Sequence, residues 1–210
     1  MSDRRFDWFR IALLALAVAG LLVAGMIERK SEGLKLPSFM AWACGGPLDC
    51  DKVLASPFAK PFHLPPFEVP VSLAAIGKAY FMLLGVWLLL VGRLPGRLHH
   101  AWAVPSLIGL GGVLGSVLMI YVMVRMLRAW CGLCLLTHVV NAALVTGIWV
   151  LWIAGRRPAA TAESAWPGTA PTASQIWKIP ALALLAGLAV GLAQLRTAQT
   201  SEAVWTVTAM

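Results

Sequence analysis

Charge is what this sequence has least of. Seventeen Lys and Arg and nine Asp and Glu in 210 residues make 12% of the chain, about half the share of a soluble domain. Hydrophobic residues make 60%, and the mean hydropathy is +0.79. That balance excludes a water-soluble protein with a large core and leaves an integral membrane protein. Acidic residues are scarcer than basic ones, for a net charge of +8. The basic residues flank apolar runs, however, and no basic patch interleaved with aromatics exists, so a nucleic-acid surface is excluded. There is no internal repeat. Cysteine occurs four times, in two pairs: C-x5-C at Cys44 and Cys50, and C-x2-C at Cys131 and Cys134.

What is plentiful is long apolar sequence. Five runs reach the roughly 20 residues that a bilayer core demands: 11–27, 69–92, 101–124, 129–155 and 179–195. Lys78 is the one charge inside them, and 129–155 also holds His138 and Asn141. Each run must be helical, because an open strand in lipid leaves backbone groups unpaired. Trp8, Trp102, Trp130, Trp152 and Trp177 lie near run ends, where an amphipathic ring belongs. The first run follows Arg4-Arg5-Phe6, but it exceeds a signal-peptide core, lacks an A-x-A site and precedes further spans. It reads as a retained helix.

Five spans put the termini on opposite sides. Arg4, Arg5, Arg10, Arg93, Arg97, Arg156, Arg157 and Lys178 then share one face, which the positive-inside rule makes cytoplasmic. The other face has nine basic residues, five of them spread along one long loop. With a cytoplasmic N-terminus all four cysteines fall on the opposite, oxidising side, where disulfides persist. The expected organisation is a membrane core at 1–155 with an outer loop at 28–69, a flexible cytoplasmic linker at 156–178, a fifth transmembrane helix at 179–196 and a short tail at 197–210.

The outer loop is long enough to be functional. Pro37, Pro47, Pro57, Pro61, Pro65, Pro66 and Pro70 restrict it to short pieces, the best being a helix over 50–55 capped by Asp49 or Asp51. Phe39, Trp42, Phe58, Phe62 and Phe67 give it apolar surface, which suits a lid lying on the membrane.

The four cysteines admit three readings. A four-thiolate zinc site needs both pairs in a polar knuckle. Structural staples suit Cys44 and Cys50 better than Cys131 and Cys134, whose two-residue spacing recurs in thiol oxidoreductases. In a redox relay, Cys131 and Cys134 occupy the first turn of a helix, where unpaired N–H groups, the helix dipole and nearby Arg125 and Arg128 favour a thiolate. A mobile loop pair then exchanges with this fixed pair. His138 lies four residues after Cys134, and Asn141 three further on, all on one helical face. A quinone, with two carbonyl oxygens and an apolar ring, fits such a face, with His138, Asn141 and the loop's Ser56 as candidate contacts. The alternative for His138 and Asn141 is hydrogen bonding between helices. Lys78 is expected to snorkel to the surface, and Thr137 to bond its own helix backbone.

Three segments in order, "CGGPLDCDKVLASPFA", "VPVSLAAIGKAYF" and "CGLCLLTH", resemble the vitamin K epoxide reductase family in its bacterial, disulfide-forming branch. The resemblance covers about residues 9–155. It implies an all-α membrane protein in which the first four of five transmembrane helices form a four-helix bundle around a quinone, ubiquinone or menaquinone. It also implies electron flow from a periplasmic thioredoxin-fold (DsbA-like) partner, through the shuttle pair Cys44 and Cys50, to the active-site pair Cys131 and Cys134, with Cys134 facing the quinone beside Ser56 and His138. The setting it implies is the bacterial inner membrane with periplasmic cysteines. Many bacterial relatives carry a fused thioredoxin-like domain after a fifth span; its absence here implies a separate partner. The vertebrate branch has tyrosine where His138 stands, which argues against vitamin K epoxide as substrate. The glycine usual soon after the Pro70 motif stands at Gly77. The rival functions are reduction of a quinone or vitamin K epoxide on the same bundle, and a non-catalytic membrane scaffold with structural disulfides.

Overall fold

The computed structural model describes residues 3–45, 47–60, 62–64, 69–90 and 102–155. The expected linker, fifth helix and tail, and Phe67 of the loop, lie outside the described residues. Within them the chain runs α1 (Asp3–Ser31), a 3-10 turn (Ser38–Cys44), α2 (Cys50–Leu54), a second 3-10 turn (Pro57–Ala59), β1 (Phe62–Leu64), β2 (Val69–Val71), α3 (Leu73–Leu90), α4 (Ala103–Tyr121), a π-helical stretch (Val122–Leu127) and α5 (Gly132–Gly155). Among the described residues, four segments are long and apolar enough to cross a membrane: Asp7–Ser31, Leu73–Leu90, Ala103–Leu127 and Gly132–Ile153. At 1.5 Å per residue they span roughly 27–38 Å, the thickness of a bilayer core or a little more. The protein is a mostly helical, multi-pass membrane protein.

Two span boundaries differ from those expected. The second span does not begin at 69. Val69–Val71 pairs antiparallel with Phe62–Leu64, in the register Phe62↔Val71, His63↔Pro70 and Leu64↔Val69. Pro70 lacks an N–H and biases the preceding residue toward extended backbone, so the helix waits for Ser72. The Ser72 hydroxyl accepts the Ala75 N–H at 3.1 Å and caps α3. The all-α expectation therefore gains a small two-stranded ribbon. The fourth span starts at Gly132, not 129. The π-helical end of α4 closes on Arg128, in left-handed backbone at φ 48°, and the N–H groups of Arg128 and Ala129 both turn back to the Met123 carbonyl.

The long helices pack with α1 against α3 and α5, and α4 against α5. Leu13, Ala17, Phe81, Leu84, Trp87, Leu144, Ile148 and Leu151 form the core between them. Lipid is as apolar as leucine, so helices associate in it through close packing, which small residues permit. Gly20 lies under the Phe81 ring and Gly147 against Leu13, where a Cβ would overlap either partner. A Cβ at Gly109 would stand 2.9 Å from Val145.

Lys78 does not snorkel. Its ammonium donates to the Glu28 carboxylate at the far end of α1, and the two side chains are only 13% and 16% exposed. A counter-charge on the adjacent helix is closer than water. Such a pair contributes little over an apolar pair of similar volume, but breaking it from one side strands a charge. Glu28→Ala is therefore expected to cost about 3 kcal/mol, read as a lower melting temperature in detergent, and Glu28→Leu with Lys78→Met to recover most of the loss.

Candidate active site

The site begins at the first turn of α5. Cys131 is its N-cap: its carbonyl accepts the Leu135 N–H at 3.0 Å, and its sulfur takes the Cys134 N–H at 3.4 Å, as a serine hydroxyl would. Cys131 and Cys134 are free thiols, the first fully buried and the second partly so. Cys131 precedes the membrane-crossing segment. Hydrogen bonding from the Cys134 side chain, helped by backbone N–H groups, draws its thiol below the usual range, against the desolvation that opposes it. The backbone part of this is the helix-start effect that the spacing predicts, while the nearby charge that acts is not the expected Arg125 or Arg128 but Asp51, which opposes it.

Over that turn sits the lid. Cys44 ends the first 3-10 turn, Cys50 opens α2, and the two form a disulfide with Cα atoms 5.3 Å apart. The short helix expected at 50–55 is α2, and its cap is Asp49, whose carboxylate accepts the Lys52 N–H at 2.9 Å. Three contacts hold the lid down. The Asp49 N–H donates to the Trp130 carbonyl at 2.8 Å. The Ala43 carbonyl presses on Gly132, where any Cβ would collide with it. Lys30, at the end of α1, pairs with Asp51 at 2.8 Å. Met40, Ala43, Cys50 and Val53 are thereby buried in one cluster with Met123, Ala129, Cys131 and Leu133, and Cys44 and Cys134 pack at its edge. All four cysteines meet there.

Beneath the lid is a pocket of about 740 Å³, its open mouth included. Its walls come from the end of α1, the lid, the start of α3, the end of α4 and the start of α5. Most of the lining is apolar; Ser31, Lys60, Ser72, Cys134, Thr137 and His138 are the polar exceptions. The Thr137 hydroxyl is spent on the Leu133 carbonyl at 2.9 Å, as expected. His138 Nε2 is buried and has no hydrogen-bond partner among the described residues. A buried polar atom left open beside a cavity calls for an explanation, and a ligand carbonyl or hydroxyl supplies one.

Of the three residues expected to touch a quinone, His138 lines the pocket and Ser56 and Asn141 do not. The Ser56 hydroxyl donates to the Val53 carbonyl at 2.7 Å within the lid. Asn141 is buried one turn deeper, accepting from the Tyr80 hydroxyl at 2.6 Å and donating to Ser116 at 3.0 Å, so that it joins α3, α4 and α5. Gly112 makes room for the phenol: a Cβ there would sit 2.6 Å from its oxygen. Sequence reasoning missed Met119, Met123, Lys60 and Ser72 as pocket wall, and Tyr80 as Asn141's partner. The two methionines stand four apart at the end of α4, a same-face spacing that was readable; nothing in the sequence marks Lys60 or Tyr80. Tyr80→Phe and Asn141→Leu are each expected to cost about 0.5–1.5 kcal/mol, and together less than their sum because they share a bond, as a double-mutant cycle of thermal unfolding would show.

The sequence model of the vitamin K epoxide reductase family matches residues 11–149. Comparison with curated proteins and with solved structures found no match. The matched stretch runs from α1 into α5, covers more than half of the chain, and contains all four cysteines and every residue of the pocket wall. With two cysteine pairs gathered over a pocket at the end of four apolar helices, the chain belongs to the vitamin K epoxide reductase family, a family of membrane oxidoreductases.

Proposed function

We propose that this protein oxidises the dithiol of a thioredoxin-fold partner and passes the electrons through its two cysteine pairs to membrane quinone, so supporting disulfide formation. In this reading it sits in a bacterial inner membrane, N-terminus cytoplasmic and cysteines periplasmic. The observation that carries it is the serial order of accessibility. Cys44 is partly exposed, Cys50 and Cys131 are 1% and 0% exposed in one cluster, and Cys134 opens on the pocket.

In this reading that order sets the role of each sulfur. A partner thiolate attacks Cys44, the reachable end of the disulfide; a partner–Cys44 bond forms, the Cys44–Cys50 bond breaks, and the electron pair leaves on Cys50. The partner's second thiolate then displaces Cys44, so the partner leaves oxidised and the loop pair is left as a dithiol, with two protons released from the partner's thiols and taken up on the loop pair. Cys50, buried in the same cluster as Cys131, attacks the Cys131 sulfur of the oxidised CxxC pair, and Cys134 is released toward the pocket. Cys44 displaces Cys131 from Cys50, restoring the loop disulfide and leaving both helix cysteines reduced. The helix-start environment that favours a Cys131 thiolate also makes it a good leaving group in this last exchange.

A quinone fits the pocket on two counts: apolar walls for its ring, and the open Nε2 of His138 for a carbonyl oxygen. Cys134 and His138 would hold its polar edge, and Met119, Met123, Ile27 and Leu54 its apolar faces. Quinone supplies the acceptor for two electrons and two protons as Cys131 and Cys134 return to a disulfide. The protein's own part is to present Cys134 where water is scarce and to hold a hydrogen-bonding nitrogen beside it.

Cys134→Ala is expected to abolish quinone reduction by a dithiol, by about a hundredfold or more; undiminished turnover in that variant would sink the reading. His138→Leu is expected to raise the KM for quinone about tenfold, with the melting temperature kept, because a donor is lost and no packed pair is broken.

A further inference from the structure

A 3-10 helix has three residues per turn, so residues three apart stack along one edge. The turn Ser38–Cys44 obeys this closely. Met40 and Ala43 are buried against the helices; Ser38, Ala41 and Cys44 form a second edge; Phe39 and Trp42 form the third, each 66% exposed. Two large rings thus stand clear of the protein's own packing, one turn apart, beside the edge that ends in the reachable sulfur of the disulfide. Folding of the lid does not account for them, since Met40 and Ala43 already supply its buried edge. Exposed aromatic pairs of this kind are the anchors on which protein interfaces concentrate their binding energy.

We propose that Phe39 and Trp42 form the docking ridge for the thiol partner, receiving the apolar surface around the reactive dithiol of a thioredoxin-fold protein. The inference rests on the relay reading above and adds to it the surface that selects a protein donor. Covalent geometry fixes the occupant. A mixed disulfide on Cys44 brings the partner's Cα to about 5.5–6 Å from that of Cys44. Trp42 is two residues away, on the neighbouring edge, so a protein that makes that bond comes within reach of the ridge. The lid's other exposed residues include Asp49, Asp51 and Lys52, a charged setting that suits a water-soluble partner better than the hydrocarbon of the bilayer. A small dithiol needs only the sulfur and gains nothing from the rings.

The test compares two electron donors on the full-length protein, with ubiquinone-1 as acceptor: reduced DsbA as the thioredoxin-fold probe, and dithiothreitol. For Phe39→Ser with Trp42→Ser, the KM for DsbA is expected to rise about tenfold or more, while kcat and the dithiothreitol rate stay within about twofold, and Trp42→Phe alone is expected to keep most of the wild-type KM. An equal loss with both donors would overturn the proposal in favour of a ridge that seats the lid or dips into lipid. An unchanged KM for DsbA would overturn it outright. Wild-type protein that oxidises dithiothreitol and ignores DsbA would overturn the partner class. Wild-type protein that reduces quinone with neither donor would overturn the relay reading itself, and the ridge with it.

Discussion

The arrangement depends on one close approach, the Ala43 carbonyl against Gly132. A side chain at 132 would lift the lid off the start of α5. With the glycine, the Asp49 N–H reaches the Trp130 carbonyl, Cys50 is buried among the residues around Cys131, and Val53 and Leu54 become part of the pocket wall. The two residues between the cysteines of a CxxC motif are easily read as filler, and Gly132 is the first of them. Here it sets the distance between two layers of the protein, and the chemistry is arranged across that gap.

Cys131 carries two duties in one atom. Its sulfur caps α5 by accepting the Cys134 N–H, and it is buried in the same cluster as Cys50 of the lid disulfide. The acceptor geometry that stabilises a helix start also stabilises negative charge on sulfur. Structure and reactivity are therefore not separable at this position, whereas at Cys134 the helix is already formed and the side chain both hydrogen-bonds to Cys131 and lines the pocket.

Much of this was legible from sequence because hydropathy and cysteine spacing are strong signals. The four described spans follow from run length alone, and the disulfide between Cys44 and Cys50 joins the two cysteines that the C-x5-C spacing and the family resemblance put together. What stayed hidden depended on contacts between segments far apart in sequence. The ribbon at 62–64 and 69–71 was absorbed into an apolar run, since Val69 and Val71 are as apolar as any span residue. Lys78 looked like a snorkelling residue because Glu28, fifty positions away, is not visible as its neighbour. Asn141 and His138 share a helical face in sequence, yet one tooth of that face meets Tyr80 and Ser116 and the other meets a cavity. Periodicity gives the face and not what stands opposite it.

The burial of Cys50 and Cys131 has a consequence for the compartment as a whole. Disulfide exchange needs an attacking sulfur in line with the bond it breaks, so a sulfur without surface cannot be reached by small thiols in solution. On the relay proposed above, an aqueous electron reservoir and one dissolved in lipid would be joined through an internal hand-over. The lid would then act as electrical insulation as much as a lever. It would prevent a short circuit in which any passing thiol discharges the helix pair, and would let the two pools stay far from equilibrium with each other while current flows through one contact.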